Sequence, residues 1–189
     1  MKSLISFRIP SIAAVICIWL TLAVRVGAAA PAPDEFFGIK WGASEEDVKA
    51  AMTAKNLPIV PRYTSDTKLV FSGGTVAGFE TEMWCFCFVQ GKFYRAFVFF
   101  KEHGGPPETL FKEVKKVITE KYGERQKETY KPDEPSAEWH PTDASGRQDI
   151  LILVVRHTKS DDKRLRLEYK NVAMEKLVPG KTGPKDEGL

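Results

Sequence analysis

No acidic side chain precedes Asp34, so the start of this 189-residue chain carries charge of one sign only, from Lys2, Arg8 and Arg25. That absence reassigns the whole net charge. The chain has 28 Lys+Arg against 25 Asp+Glu, a formal +3, and without residues 1–29 both counts are 25. A balanced remainder lacks the net positive field that marks a nucleic-acid binder, so no nucleic-acid partner is expected.

Histidine and cysteine are also scarce, with three of each. His103, His140 and His157 lie in separate segments, and no His-x-x-x-His or Cys-x-x-Cys spacing occurs. Neither a metal nor a cofactor is expected from such a pattern, and a convergence with Asp143 or Asp149 has no support in spacing. Gly-x-Ser-x-Gly, P-loop and Rossmann fingerprints are missing, which leaves no catalytic motif and a non-enzymatic expectation. Asn56 precedes Leu57-Pro58 and Asn171 precedes Val172-Ala173, so no N-glycosylation acceptor exists.

What the N-terminus does contain is an export pattern. Lys2 and Arg8 lead into Ile9 to Val24, which is free of charge, and then into Arg25-Val26-Gly27-Ala28-Ala29-Ala30-Pro31. Gly27 and Ala29 supply small residues at −3 and −1, so a signal peptide covering 1–29 with a cut after Ala29 is expected. The alternative, an uncleaved anchor, is opposed by an apolar run shorter than the ~20 residues a spanning helix needs. Ala14-Val15-Ile16 before Cys17 lacks the small residue of a lipid-attachment site. The expected destination is the periplasm or the medium, with no membrane insertion after cleavage. Residues 30–35 then read as a spacer, 36–177 as a single domain and 178–189 as a disordered tail.

Within the domain, Phe36 to Gly42 reads as a short extended segment. Ser44 is placed to cap a helix, with Asp47 completing the box and Val48, Ala51 and Met52 forming its apolar stripe. Asn56 and Pro58 end it. Lys68 to Phe71 reads as a strand broken at Ser72-Gly73-Gly74. Pro106-Pro107-Glu108 opens a second helix with the stripe Leu110, Phe111, Val114, Val117, Ile118 and Tyr122, closed by Gly123. Residues 124–135 read as a polar connector, Ala137 to Trp139 as a weak strand, and Ile150 to Val155 as a central strand. After a tip at His157 to Asp162, Leu165, Leu167 and Tyr169 alternate inward while Arg164, Arg166, Glu168 and Lys170 alternate outward. Val172 to Leu177 reads as one helical turn.

The clearest element is a hairpin around Gln90-Gly91, whose Gly permits the positive φ of a tight turn. Eight of the chain's 21 aromatic residues fall between Thr81 and Lys101, so both faces need cover. In a regular hairpin, Val89 faces Lys92, Phe88 faces Phe93, Phe86 faces Arg95 and Trp84 faces Phe97. Met83, Cys85, Cys87, Tyr94, Ala96 and Val98 then share the opposite face and suit packing under a helix.

The expected class is α+β: two helices on an antiparallel sheet of about six strands, in the order α-β-β-β-α-β-β-β, which would fit an internal duplication. The segment Trp41-Gly42-Ala43-Ser44-Glu45-Glu46-Asp47-Val48, with this strand order, resembles the small outer-membrane-assembly lipoproteins and the tandem domains of β-lactamase inhibitor proteins. The resemblance implies a fold and transfers no functional residue. The chain departs from the first group in having no lipid-attachment Cys.

Two sets of residues stand out. Trp84, Phe86, Phe88, Phe93 and Phe97 with Arg95 form either core or a binding face for an unidentified protein or small ligand, in which Arg95 stacks on Phe86. If that face is core, Arg95 needs a buried partner such as Glu82. Cys85 and Cys87, left as the only thiols once Cys17 is removed, are either buried small residues or a redox pair. Three functions follow: an exported binding module, an inhibitor of an extracellular hydrolase using Thr64 to Thr67 and His157 to Lys163, or a thiol redox protein.

Overall fold

The computed structural model describes residues 35–102, 107–129, 135–142, 149–157 and 163–180. The expected leader, most of the spacer, His103, Asp143, the 158–162 tip and residues 181–189 lie outside the described residues.

The chain opens with a two-residue hairpin, β1 (Glu35–Phe36) and β2 (Ile39–Lys40). Next come α1 (Glu45–Ala54), a 3-10 turn (Pro61–Tyr63), β3 (Lys68–Ser72) and β4 (Thr75–Val76). The long hairpin is β5 (Phe79–Val89) and β6 (Lys92–Phe100), followed by α2 (Pro107–Tyr122). The second half continues with β7 (Lys127–Thr129), β8 (Ser136–Trp139), β9 (Asp149–His157), β10 (Lys163–Asn171) and α3 (Val172–Glu175). The main sheet is antiparallel, ordered β3-β5-β6-β10-β9-β8-β7, with β4 paired to β5.

The α+β class agrees with the sequence reading, but the inventory is larger than two helices and six strands. The additions β1, β2, β4 and β7 are two to three residues long, too short for any hydrophobic period to announce them, while α3 falls within the helical turn expected at Val172 to Leu177. β7 turns part of the expected polar connector into an edge strand. The described residues run on past Leu177 to Gly180, and the Val178 amide donates to the Glu175 carbonyl.

Local chemistry explains the larger pieces. Ser44 Oγ accepts from the Asp47 amide while Asp47 accepts from the Ser44 amide and hydroxyl, a reciprocal cap that starts α1. Asn56, with φ of 58°, turns the chain out of it. In the long hairpin, Gln90 (φ 51°) and Gly91 (φ 71°) form the two-residue turn, and Val89 opposes Lys92 as expected. Both centre residues have positive φ, which is the turn whose twist matches the flanking strands.

Both long helices cover one face of the sheet. Val48 and Met52 of α1 and Phe111, Val114 and Ile118 of α2 pack with Trp84, Phe86, Phe93, Val98, Leu165 and Tyr169 into a single core. The β1-β2 hairpin joins the same core, with Phe36 5.6 Å from Tyr169 and Phe37 4.3 Å from Trp84 between ring centres. Trp84 is also held by its indole N–H, which donates to the Gly73 carbonyl at 2.7 Å.

Candidate functional site

The two long helices cover one face only, so the opposite face of the sheet, met by the short α3 alone among the described helices, is where side chains of β3, β5, β6 and β10 remain to be explained. Cross-strand pairing arranges them in three rows. Lys68, Cys87, Arg95 and Lys170 form the first, Val70, Cys85, Phe97 and Glu168 the second, and Ser72, Met83, Phe99 and Arg166 the third. Val70, Cys85 and Phe97 make a small apolar cluster of their own, with Val60, Met83, Cys87 and Phe99 packed against it.

A register shift produces these rows. The pairing passes from Cys87 opposite Arg95 to Phe88 opposite Phe93, which leaves Tyr94 as an extra residue. The expected partners of Phe86 and Trp84 are therefore corrected to Ala96 and Val98, while Arg95 and Phe97 oppose Cys87 and Cys85. The proposed aromatic ladder splits accordingly. Trp84, Phe86, Phe88 and Phe93 are core beneath the helices, whereas Arg95 and Phe97 sit on the helix-free face. Ala96 and Val98 move the other way, onto the helix face.

Phe97 is the centre of an ionic sandwich. The guanidinium of Arg95 stands 4.6 Å from its ring centre and that of Arg166 4.7 Å. Glu168 joins the two cations, with Oε1 2.5 Å from Arg95 Nη2 and Oε2 3.1 Å from Arg166 Nη2. Its side chain is only 3% exposed. Glu175, brought up by α3, lies 3.9 Å from Arg95 Nη1 and 3.1 Å from Lys170 Nζ. The buried partner of Arg95 is thus Glu168 and not Glu82, which pairs with Arg164 at 3.0 Å. Arg166 and Glu168, expected outward toward solvent, are buried because their face is crowded by Phe97 and by each other. Burial works against the charged form of Arg95, but the carboxylates of Glu168 and Glu175 more than offset it and hold its pKa above the usual guanidinium value.

The thiols adjoin this cluster. Cys85 Sγ and Cys87 Sγ are 4.0 Å apart and no disulfide joins them. The shared hydrogen bond pushes the Cys85 thiol up, assisted by burial, and pulls the Cys87 thiol down, helped there by Arg95 and Lys68 against burial. Burial and the charge on Cys87 raise the Tyr94 phenol. Cys87 opens on a cleft of about 460 Å³ lined also by Ser65, Thr67, Lys68, Tyr94 and Pro179. A second cleft of about 560 Å³ lies beyond the end of α1 between Lys49, Asn56, Leu57, Ile59 and Phe71. It brings together no comparable set of polar groups.

The remaining candidates stand apart from this face or are tied up. His140 Nε2 lies 2.6 Å from Glu138 Oε1, and its amide donates to Gln126. Asp149 is fully buried and accepts from the Trp41 indole N–H at 3.1 Å. Among the described residues no three His, Cys, Asp or Glu side chains converge as a metal cluster. Thr64 is a turn residue whose hydroxyl accepts from the Val70 amide, and Ser65 closes the same turn onto Lys68. The buried charges Arg166 and Glu168 escaped sequence reasoning because clean alternation normally means a wet face. The signal available was a single acid, Glu168, set among Arg164, Arg166 and Lys170 on one face of the strand. No family model, curated protein or solved structure matches the chain.

Proposed function

We propose that the protein is an exported binding module, non-enzymatic, that takes a small ligand bearing an anionic group on the helix-free face of its sheet. One observation carries this reading: the cleft of about 460 Å³ beside Cys87 and Tyr94, with Lys68 at its wall. The aromatic residues of the helix-covered face are spent on core and give a ligand no surface there. Hydroxyls from Ser65 and Thr67 can donate to an anion, Lys68 can neutralise it, and Val89, Val178 and Pro179 give an apolar part of the ligand a surface. Export is inferred from the N-terminal pattern of residues 1–29, and no helix among the described residues is long and apolar enough to cross a membrane.

The strand order supports a further part of this reading, that two α-β-β-β units were joined in tandem. The last strand of each unit, β6 or β10, meets its counterpart at the centre, and the outward order is β6-β5-β3 on one side and β10-β9-β8 on the other.

The test is amide chemical-shift mapping with a panel of small carboxylates, phosphates and sulfonates. Saturable shifts confined to residues 65–68, 87–95 and 178–179, lost in Lys68→Glu, are expected. Shifts confined to the α1 and α2 surface, or none across the panel, would refute the assignment.

A further inference from the structure

Three soft donor atoms lie in one line on the helix-free face. Met83, Cys85 and Cys87 alternate along β5, and each pairs across to the same face of β6. We propose that the two thiols of this line, Cys85 and Cys87, form a site for a soft monovalent metal ion of the Cu(I) class, with the two thiolates as its ligands. The site shares the cleft with the binding function but does not depend on it.

The spacing decides between the two things a sulfur pair can do. A disulfide requires sulfurs about 2.05 Å apart and Cα atoms usually within about 6.8 Å. Cys85 and Cys87 are alternate residues of an extended strand, whose Cα atoms stand ~6.6 Å apart, near that limit. Their sulfurs sit at 4.0 Å, about twice the bond length. Two metal–sulfur bonds of ~2.3 Å span about 4.0 Å when bent and ~4.6 Å when linear. The gap therefore suits an ion between the sulfurs better than a bond joining them.

Donor chemistry narrows the ion. Thiolate and thioether sulfur select soft ions, while Mg²⁺, Ca²⁺ and structural Zn²⁺ need oxygen donors or four ligands. No such set assembles from His, Cys, Asp and Glu among the described residues. A monovalent ion on two thiolates carries one net negative charge, and the side chains flanking Cys87 across the strands are cations, Lys68 on β3 and Arg95 on β6. Entry is available because Cys87 opens on the cleft. On binding, the two thiols release their two protons to solvent, two metal–sulfur bonds form, and the ion keeps its oxidation state.

The experiment is an anaerobic titration of the reduced chain against Cu(I) held by a chromophoric chelator. Withdrawal of one Cu(I) per chain is expected, with X-ray absorption showing sulfur neighbours at ~2.2–2.3 Å. Cys85→Ser and Cys87→Ser should abolish withdrawal while keeping the wild-type circular dichroism. Met83→Leu, a full strand repeat of ~6.6 Å beyond Cys85, should leave both stoichiometry and affinity at the wild-type level. Equal withdrawal by wild type and both Cys variants, or no withdrawal at all, would overturn the site. So would quantitative loss of both thiols as an intramolecular disulfide under mild oxidation, because the pair would then belong to redox chemistry.

Discussion

The two faces of one sheet have been given opposite chemistry by the same four strands. Under α1 and α2 the contacts are aromatic and aliphatic, with Trp84, Phe86, Phe93 and Val98 at 0% exposure. Across the sheet, only one residue away along each strand, two arginines, two glutamates, two thiols and a phenylalanine share the space. Hydrophobic burial needs no particular partner, so the first face tolerates any close packing. Buried charge needs its counter-charge, which makes the second face specific and costly to assemble. A protein that wanted only stability would have no reason to build it.

The largest expected effects come from breaking each face at its centre. Trp84→Ala removes a fully buried indole and its hydrogen bond to Gly73, and urea unfolding should show a loss of about 3–5 kcal/mol. Glu168→Ala should cost about 3 kcal/mol, because Arg95 and Arg166 keep their charges and lose the carboxylate between them. The sharper version replaces all three, as Arg95→Met, Arg166→Leu and Glu168→Leu together. If the ionic cluster serves function, that variant should be at least as stable as wild type and lose the shifts expected in the cleft. A triple variant as unstable as Glu168→Ala would show that the helix-free face is ordinary core.

How much of this was legible in the sequence divides along the same line. The capped first helix, the striped second helix and the turn at Gln90-Gly91 were readable because capping residues, 3.6-residue periods and turn glycines act locally. Faces were harder. Alternation from the turn put Phe93, Arg95 and Phe97 together, and one extra residue at Tyr94 separates them. A bulge is a property of two paired strands, with no reliable mark in either. Burial of Arg166 and Glu168 was equally hidden, since it depends on β10 landing beside β6 from the far half of the chain.

A smaller effect tests how the helix-covered face is closed at its edge. Gly74 has φ of +86°, and an added Cβ would meet Leu57 Cδ2 at 2.9 Å and Trp84 Nε1 at 3.4 Å. Gly74→Ala should cost roughly 1–2 kcal/mol from the left-handed backbone, measured as a lower urea midpoint. The clash adds to that cost, because the new methyl meets both Cδ atoms of Leu57, which is buried in the core. The same substitution should leave the thiol face unchanged, so Cu(I) withdrawal at wild-type level checks that the two faces are independent.

The smallest effect belongs to α1, which covers the helix face but touches nothing on the other. Ser44→Ala removes the cap and should cost about 1 kcal/mol near neutral pH. The loss should also depend on pH in a stated direction. Hydrogen bonds from the Ser44 hydroxyl and amide hold the Asp47 carboxyl below its ordinary pKa. A group whose pKa is depressed by folding stabilises above its unfolded value and loses that contribution as acid drives the pH down through the folded one. The gap between wild type and Ser44→Ala should therefore be widest at neutral pH and shrink below the ordinary carboxylate range. Urea unfolding of both proteins at neutral and at strongly acidic pH measures it. An equal gap at both would mean that the hydroxyl caps the helix amide without help from the Asp47 charge.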